Sequence, residues 1–251
     1  MSSPSIGSPS GSVFARKEPF MDSFYKSSSL SWHLAWALPV LLFLAFLPFS
    51  KEADLALSSL FYKEGAFSKD PFYQTIYIWG LLPGQMVISG ASIYCLLSLI
   101  SPLFKKHRQA ALSLVLSLAI GSGLFAHLLC KDYWGRPRPV QTAHFGGPYP
   151  FKACYEPEFQ RASEPKRSFP CGHCTMGYYF FSVALLAKRA KRQKLFLASL
   201  FFAFFLGGLL SLARVAQGGH YLSDILASML IMWLSALFID AFVFRNSQEF
   251  S

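Results

Sequence analysis

The sequence predicts an all-α polytopic membrane protein with six transmembrane helices and a short interfacial helix after the first. Of 251 residues, 53% are hydrophobic and only 14% are charged, with a mean hydropathy of +0.37. That is more apolar surface than a single soluble core of this size could hide. The charges are also missing in blocks: residues 27–50, 71–104, 109–130, 168–187 and 195–213 contain no Asp, Glu, Lys or Arg. A helix rising 1.5 Å per residue needs roughly 20 apolar residues to cross the hydrocarbon core. These five stretches reach or approach that length. Tyr221 to Phe244, interrupted by Asp224 and Asp240 near its ends, makes a sixth, and the pattern argues against a soluble globular enzyme.

Residues 1–31 are rich in serine, carry Pro4, Pro9 and Pro19, and read as a disordered cytoplasmic tail. The membrane domain covers 32–245, and 246–251 form a C-terminal tail. The first span, His33 to Phe49, follows Arg16, Lys17 and Lys26 at a distance and shows no small-residue cleavage signature, so it reads as a retained anchor. In Ala53 to Tyr62, Leu57, Leu60 and Phe61 share a helical face, which suggests either a helix along the membrane surface or an ordinary connector. The second span, Ile76 to Ile100, contains Pro83 and Gly84, tolerated where neighbouring helices satisfy the freed backbone groups. The third runs from Gln109 to Cys130. A 40-residue loop follows, and loops that long without structure of their own are usually functional. Cys171 to Ala187, Leu195 to Ala213 and the sixth span complete the set.

Orientation comes from the short loops. Lys105, Lys106, Arg108, Lys188, Arg189, Lys191, Arg192 and Lys194 lie on one side, which the positive-inside rule makes cytoplasmic. Over all loops and tails the cations nearly balance, 12 against 11, while the acids divide 4 against 9. Both termini are then cytoplasmic, and the loops after spans one, three and five face outward. Membrane orientation also accounts for the net charge of +10 better than nucleic acid does, because the cations sit in short clusters between spans. The five cysteines have no zinc-finger spacing. Cys154 could pair with Cys171 or Cys174 in an oxidising compartment; otherwise the thiols are free.

Three polar groups stand where apolar helices end, all at the outward face. Lys131 to Pro139 (Lys-Asp-Tyr-Trp-Gly-Arg-Pro-Arg-Pro) begins where span three stops, Pro170-Cys171-Gly172-His173 opens span four, and Arg214 to Asp224 joins span five to span six. Lys131, Arg138 and Arg214 supply three cations, enough to surround a phosphoryl group whose oxygens gain charge in the transition state. His220 and Asp224 are four apart, so the carboxylate can fix the imidazole's tautomer and orientation, the base-and-orienter pair of covalent catalysis. Gly172 and His173 open a helix whose free N–H groups point at an anion site, and His173 could protonate a leaving oxygen. Taken alone, Lys131, Arg136 and Arg138 read as headgroup-binding interfacial cations, and His33, His107, His127 and His144 have no matching partners. The ordered joint occurrence of the three groups favours a site.

The chain resembles the phosphatidic acid phosphatase type 2 and vanadium haloperoxidase superfamily, whose motifs read Lys-x6-Arg-Pro, Pro-Ser-Gly-His and Ser-Arg-x5-His-x3-Asp. Lys131 to Pro139 fits the first; Pro170, Gly172 and His173 fit the second; Arg214, His220 and Asp224 fit the third at full spacing. The resemblance implies a phosphatase that needs no metal or other cofactor. In it His220 attacks phosphorus and Asp224 orients it, Lys131, Arg138, Arg214, Cys171 and Gly172 hold the oxygens, and His173 protonates the leaving group before water releases the phosphohistidine. Two positions depart from the pattern: Cys171 stands where the family has Ser, a weaker donor, and Ala213 replaces the Ser before Arg214.

A rival lies in the same stretch, because Cys130 to Arg136 has the Cys-x5-Arg spacing of cysteine-based phosphatases. Bulky Tyr133 and Trp134 and the position at a span's end argue against it. The expected substrate is a phosphate or diphosphate on a lipid headgroup at the periplasmic face of a bacterial inner membrane. Phe145-Gly146-Gly147 loosely resembles members acting on lipid A, and the seven loop cations (Lys131, Arg136, Arg138, Lys152, Arg161, Lys166, Arg167) suit an anionic glycolipid. Undecaprenyl diphosphate, phosphatidylglycerol phosphate and phosphatidic acid are alternatives. A lipid phosphotransferase, a lipid-phosphate binder or flippase, and a haloperoxidase remain as other classes.

Overall fold

The computed structural model describes residues 28–131, 133–159 and 166–245. Residues 1–27 and 246–251 of the expected tails, and Arg161 of the loop, lie outside the described residues. Among the described residues, those up to Leu38 and those from Pro39 onward form separate compact units.

α1 (Ser28–Phe46) begins within the stretch read as tail, and Trp32 and Trp36 meet edge to face across one of its turns at 6.0 Å. A single 3-10 turn (Leu47–Phe49) joins it to α2 (Ser50–Ser59). The buried face of α2 is polar, consisting of Ser50, Asp54 and Ser58, while Leu57 is only half-buried. This helix therefore turns its hydrophilic side into the protein. A two-residue hairpin (β1 Tyr62–Lys63, β2 Ala66–Phe67) leads to α3 (Pro71–Trp79), capped by the Asp70 side chain accepting from Phe72 N at 2.8 Å. α4 (Leu82–Ile100) carries Pro83 within its first turn, where its missing N–H costs nothing.

α5 (Arg108–Leu118) continues without interruption into a π-helix (Ala119–Lys131). Widened helices of this kind are frequent at functional sites. α6 (Gly172–Tyr178), α7 (Phe180–Arg189), α8 (Gln193–Ala216) and α9 (Leu222–Val243) complete the helical set.

Among the described residues, five segments are long and apolar enough to cross a membrane: Ser31–Ser59, Pro71–Ile100, Arg108–Lys131, Gln193–Ala216 and Leu222–Val243. The stretch read as a fourth span is divided at Tyr179 into α6 and α7, so length alone does not single it out. It is nevertheless the most enclosed part of the bundle, packing on α8 and α9 with Tyr179 and Phe181 buried. α6 and α8 approach backbone to backbone. A Cβ on Gly177 would lie 2.5 Å from Gly207 Cα, and one on Gly207 would lie 2.4 Å from the Tyr178 ring. Small residues let membrane helices close to this distance and gain dispersion contact. In contrast, Leu41, Leu42, Met86, Leu99 and Phe201 are exposed, as side chains facing lipid would be.

Candidate active site

The helix ends hold the three motifs together. Cys171 N donates to Asp224 O (3.3 Å) and Ser228 Oγ donates to Cys171 O (3.0 Å), tying the start of α6 to the first turns of α9. On the other side of Gly172 lies the end of the π-helix. A Cβ at Gly172 would meet His127 Nε2 at 2.7 Å and Lys131 Nζ at 3.4 Å, so only glycine lets motifs one and two approach this closely. Ser122 O accepts from the His127 ring through Nδ1 at 2.7 Å, which leaves Nε2 facing Gly172. Motif three is folded by glycine as well. Gly218 has φ +64°, and a Cβ at Gly219 would overlap the Arg214 guanidinium at 2.1 Å.

Arg214 Nη1 donates to Gln217 Oε1 (2.8 Å), and its Cζ sits 4.8 Å from the Tyr77 ring centroid. The same Tyr77 stacks on His173, with centroids 4.3 Å apart. Arg138 Nε and Arg214 Nε are buried without a hydrogen-bond partner among the described residues. Such groups are costly to bury unless a ligand meets them. Lys131 and Arg214 both act electrostatically on His173 and His220, and Arg138 on Arg214. The structure thus brings together His173, His220, Asp224, Lys131, Arg138, Arg214, Cys171 and Gly172.

His220 is 2% exposed, with Nδ1 3.5 Å from Asp224 Oδ2. That is longer than a hydrogen bond, and such contacts commonly tighten only when substrate is bound. Burial pushes the His220 pKa down to about 4; Asp224 opposes the shift and Arg214 and Lys131 add to it. The imidazole is consequently neutral at pH 7. Asp224 Oδ2 accepts from Ser168 Oγ (2.6 Å) and from Tyr221 N (2.9 Å), the latter closing the first turn of α9. Its Oδ1 is held by Arg136 Nη1.

Three expectations change. Arg136 is no headgroup cation: it is fully buried and ion-paired with Asp224 and Asp54. Cys154 does not pair with Cys171 or Cys174; those two are disulfide-bonded to each other, one turn apart, and Cys154 is free and buried. Lys152 and Lys166 are engaged by Glu158, so fewer loop cations remain to meet a glycolipid. Sequence reasoning missed Asp54, Tyr77, His127 and Ser168. The one signal available was Asp54, an acid on an otherwise serine-lined helix face. Cys130, the rival nucleophile, packs against an apolar cluster of Cys154, Phe169 and Ala227.

The fold and this site define a class: a helical membrane protein that collects imidazoles, a carboxylate and cations at adjoining helix ends, an arrangement suited to phosphoryl transfer. The chain belongs to the PAP2 superfamily, whose family model matches residues 110–248. It is 36% identical over 160 residues to the lipid A 4'-phosphatase of Francisella tularensis subsp. novicida (strain U112), covering 62% of this chain and 68% of that one. It is 31% identical to the lipid A 4'-phosphatases of Rhizobium leguminosarum, over 139 residues, and Rhizobium etli, over 125 residues. There the alignments span 55% and 50% of this chain and 55% and 45% of the relatives. No solved structure matches the chain. The protein is a phosphatase of that superfamily and an integral membrane protein.

Proposed function

We propose that this protein removes phosphate from lipid A at the periplasmic face of a bacterial inner membrane. Six crossings, with the α6–α7 segment as the fourth and both termini in the cytoplasm, would set all three motifs at that face. The observation that carries the reading is the convergence of the three motifs on Gly172, His173 and His220. The relatives named above support the choice of lipid.

In this reading the phosphoryl oxygens lie among Lys131, Arg138 and Arg214, whose charge offsets what develops in the transition state. His220 Nε2 attacks phosphorus with its lone pair while the P–O bond to the lipid breaks. Negative charge on the bound phosphoryl group favours a protonated His173 ring, which gives its proton to the departing oxygen. Asp224 stabilises the imidazolium character on Nδ1. His173, now neutral, takes a proton from the water that attacks the phosphohistidine, the N–P bond breaks, and inorganic phosphate leaves. The packing of Cys130 among apolar side chains weighs against a cysteine nucleophile.

The test is phosphate release by purified protein in EDTA from lipid A, undecaprenyl diphosphate, phosphatidylglycerol phosphate and phosphatidic acid, beside His220→Ala. Release from lipid A that is lost in His220→Ala is expected. Preference for another lipid overturns the substrate. Transfer to a lipid acceptor without phosphate release overturns the hydrolase assignment.

A further inference from the structure

Arg136 and Asp54 form a buried clamp behind the proposed base pair. Arg136 Nη2 donates to Asp54 Oδ2 (2.7 Å), Nη1 donates to Ser223 Oγ (2.8 Å) and to Asp224 Oδ1, and Nε donates to Lys152 O (2.9 Å). The guanidinium lies 4.3 Å from the Tyr221 ring centroid. Asp54 in turn accepts from Ser223 N (2.8 Å) and Ser223 Oγ (2.6 Å). Burial alone would lower the Arg136 pKa, but the Asp224 and Asp54 carboxylates raise it above its ordinary value. Both Arg136 and Asp54 are 0% exposed, so neither can touch a substrate.

We infer that Asp54 and Arg136 are positioning residues for phosphoryl transfer, acting on His220 through Asp224. Arg136 occupies Oδ1 of Asp224 and so leaves Oδ2 as the oxygen facing His220 Nδ1. The Arg136 carbonyl accepts from Ser168 N (2.9 Å), which sets Ser168 where its hydroxyl reaches Oδ2. Asp54 has a second, electrostatic part. With Asp54 ionised, the trio Asp54, Arg136 and Asp224 carries a net charge of about −1, which favours positive charge developing on His220. Without Asp54, the full cation of Arg136 falls on Asp224 and that stabilisation is lost. A fully satisfied buried network of this kind acts as a unit.

This inference rests on His220 being the nucleophile, so His220→Ala is measured in parallel. Phosphate release from lipid A in detergent micelles is followed for Asp54→Asn and for Asp54→Asn/Arg136→Gln, which restores the trio's net charge. Asp54→Asn is expected to lower kcat about tenfold with KM within about twofold, and the double variant, which restores the charge but replaces the guanidinium fork on Asp224 with a single amide donor, to regain only part of that loss. A kcat for Asp54→Asn within twofold of wild type overturns the inference, as does a double variant no faster than the single. Two unrelated structural lesions would compound instead of compensating. If Asp54→Asn does not elute as a folded species, Ser223→Ala serves, since it loosens the same clamp without changing charge. It is expected to lower kcat about threefold at unchanged KM; an unchanged kcat overturns the inference. Activity retained by His220→Ala would instead refute the nucleophile reading, whatever Asp54→Asn does.

Discussion

Tyr77 and His173 lie ring on ring, with centroids 4.3 Å apart and planes 18° from parallel, and the same phenol ring supports the Arg214 guanidinium. One aromatic side chain on α3 thereby touches two proposed site residues carried by α6 and α8. Stacking and cation–π contacts are each worth about 1 kcal/mol. Tyr77→Ala is expected to lower kcat/KM about tenfold, whereas Tyr77→Phe, which keeps the ring, should stay within about threefold of wild type. Steady-state kinetics on the two variants checks this.

The His220 pKa of about 4 sets a pH dependence. Only the neutral imidazole can attack, so protonation removes activity as pH falls through that value, while above it the nucleophile is already in its reactive form. The kcat/KM profile is expected to show no acid limb near the ordinary histidine value of 6.5 and to fall only as pH approaches 4. An acid limb centred near 6.5 in the wild-type profile would contradict the burial of this ring.

Cys171 accepts from Cys174 N at 3.3 Å and is bonded to Cys174, so as described it has no S–H to offer a phosphate oxygen. Serine could accept the same N–H and also donate. Turnover of Cys171→Ser is expected to equal or exceed wild type, and a loss of more than about tenfold, roughly 1.4 kcal/mol, would give the sulfur a role of its own.

Much of this was legible in the sequence, and the remainder has a physical explanation. Charge-free blocks marked four of the five described segments that are long and apolar enough to cross a membrane, because lipid excludes ions. The motif residues revealed themselves through spacing, since His220 and Asp224 must share one turn. Arg136 was misjudged because a buried arginine and a headgroup-binding one have the same local sequence; only Asp54, 82 positions away, distinguishes them. Tyr77 was invisible for the same reason, being one aromatic among many at membrane edges. The fourth segment read as a single span because periodicity does not reveal the break at Tyr179.

Arg136→Met would leave Asp54 and Asp224 buried without their cation. Breaking a buried pair in this way costs about 3–5 kcal/mol. A marked fall in the thermal unfolding midpoint in detergent is expected, larger than for Asp54→Asn/Arg136→Gln, which removes one charge of each sign. An Arg136→Met midpoint equal to that of wild type would show that the network contributes little to folding.

Whether phosphate passes through His220 can be read directly. Protein is mixed with 32P-labelled lipid A, quenched in alkali, where phosphohistidine survives, and the label is located by peptide mass spectrometry. Label on His220 that is absent from His220→Ala is expected. Label on Cys130, or full turnover by His220→Ala, would contradict the account.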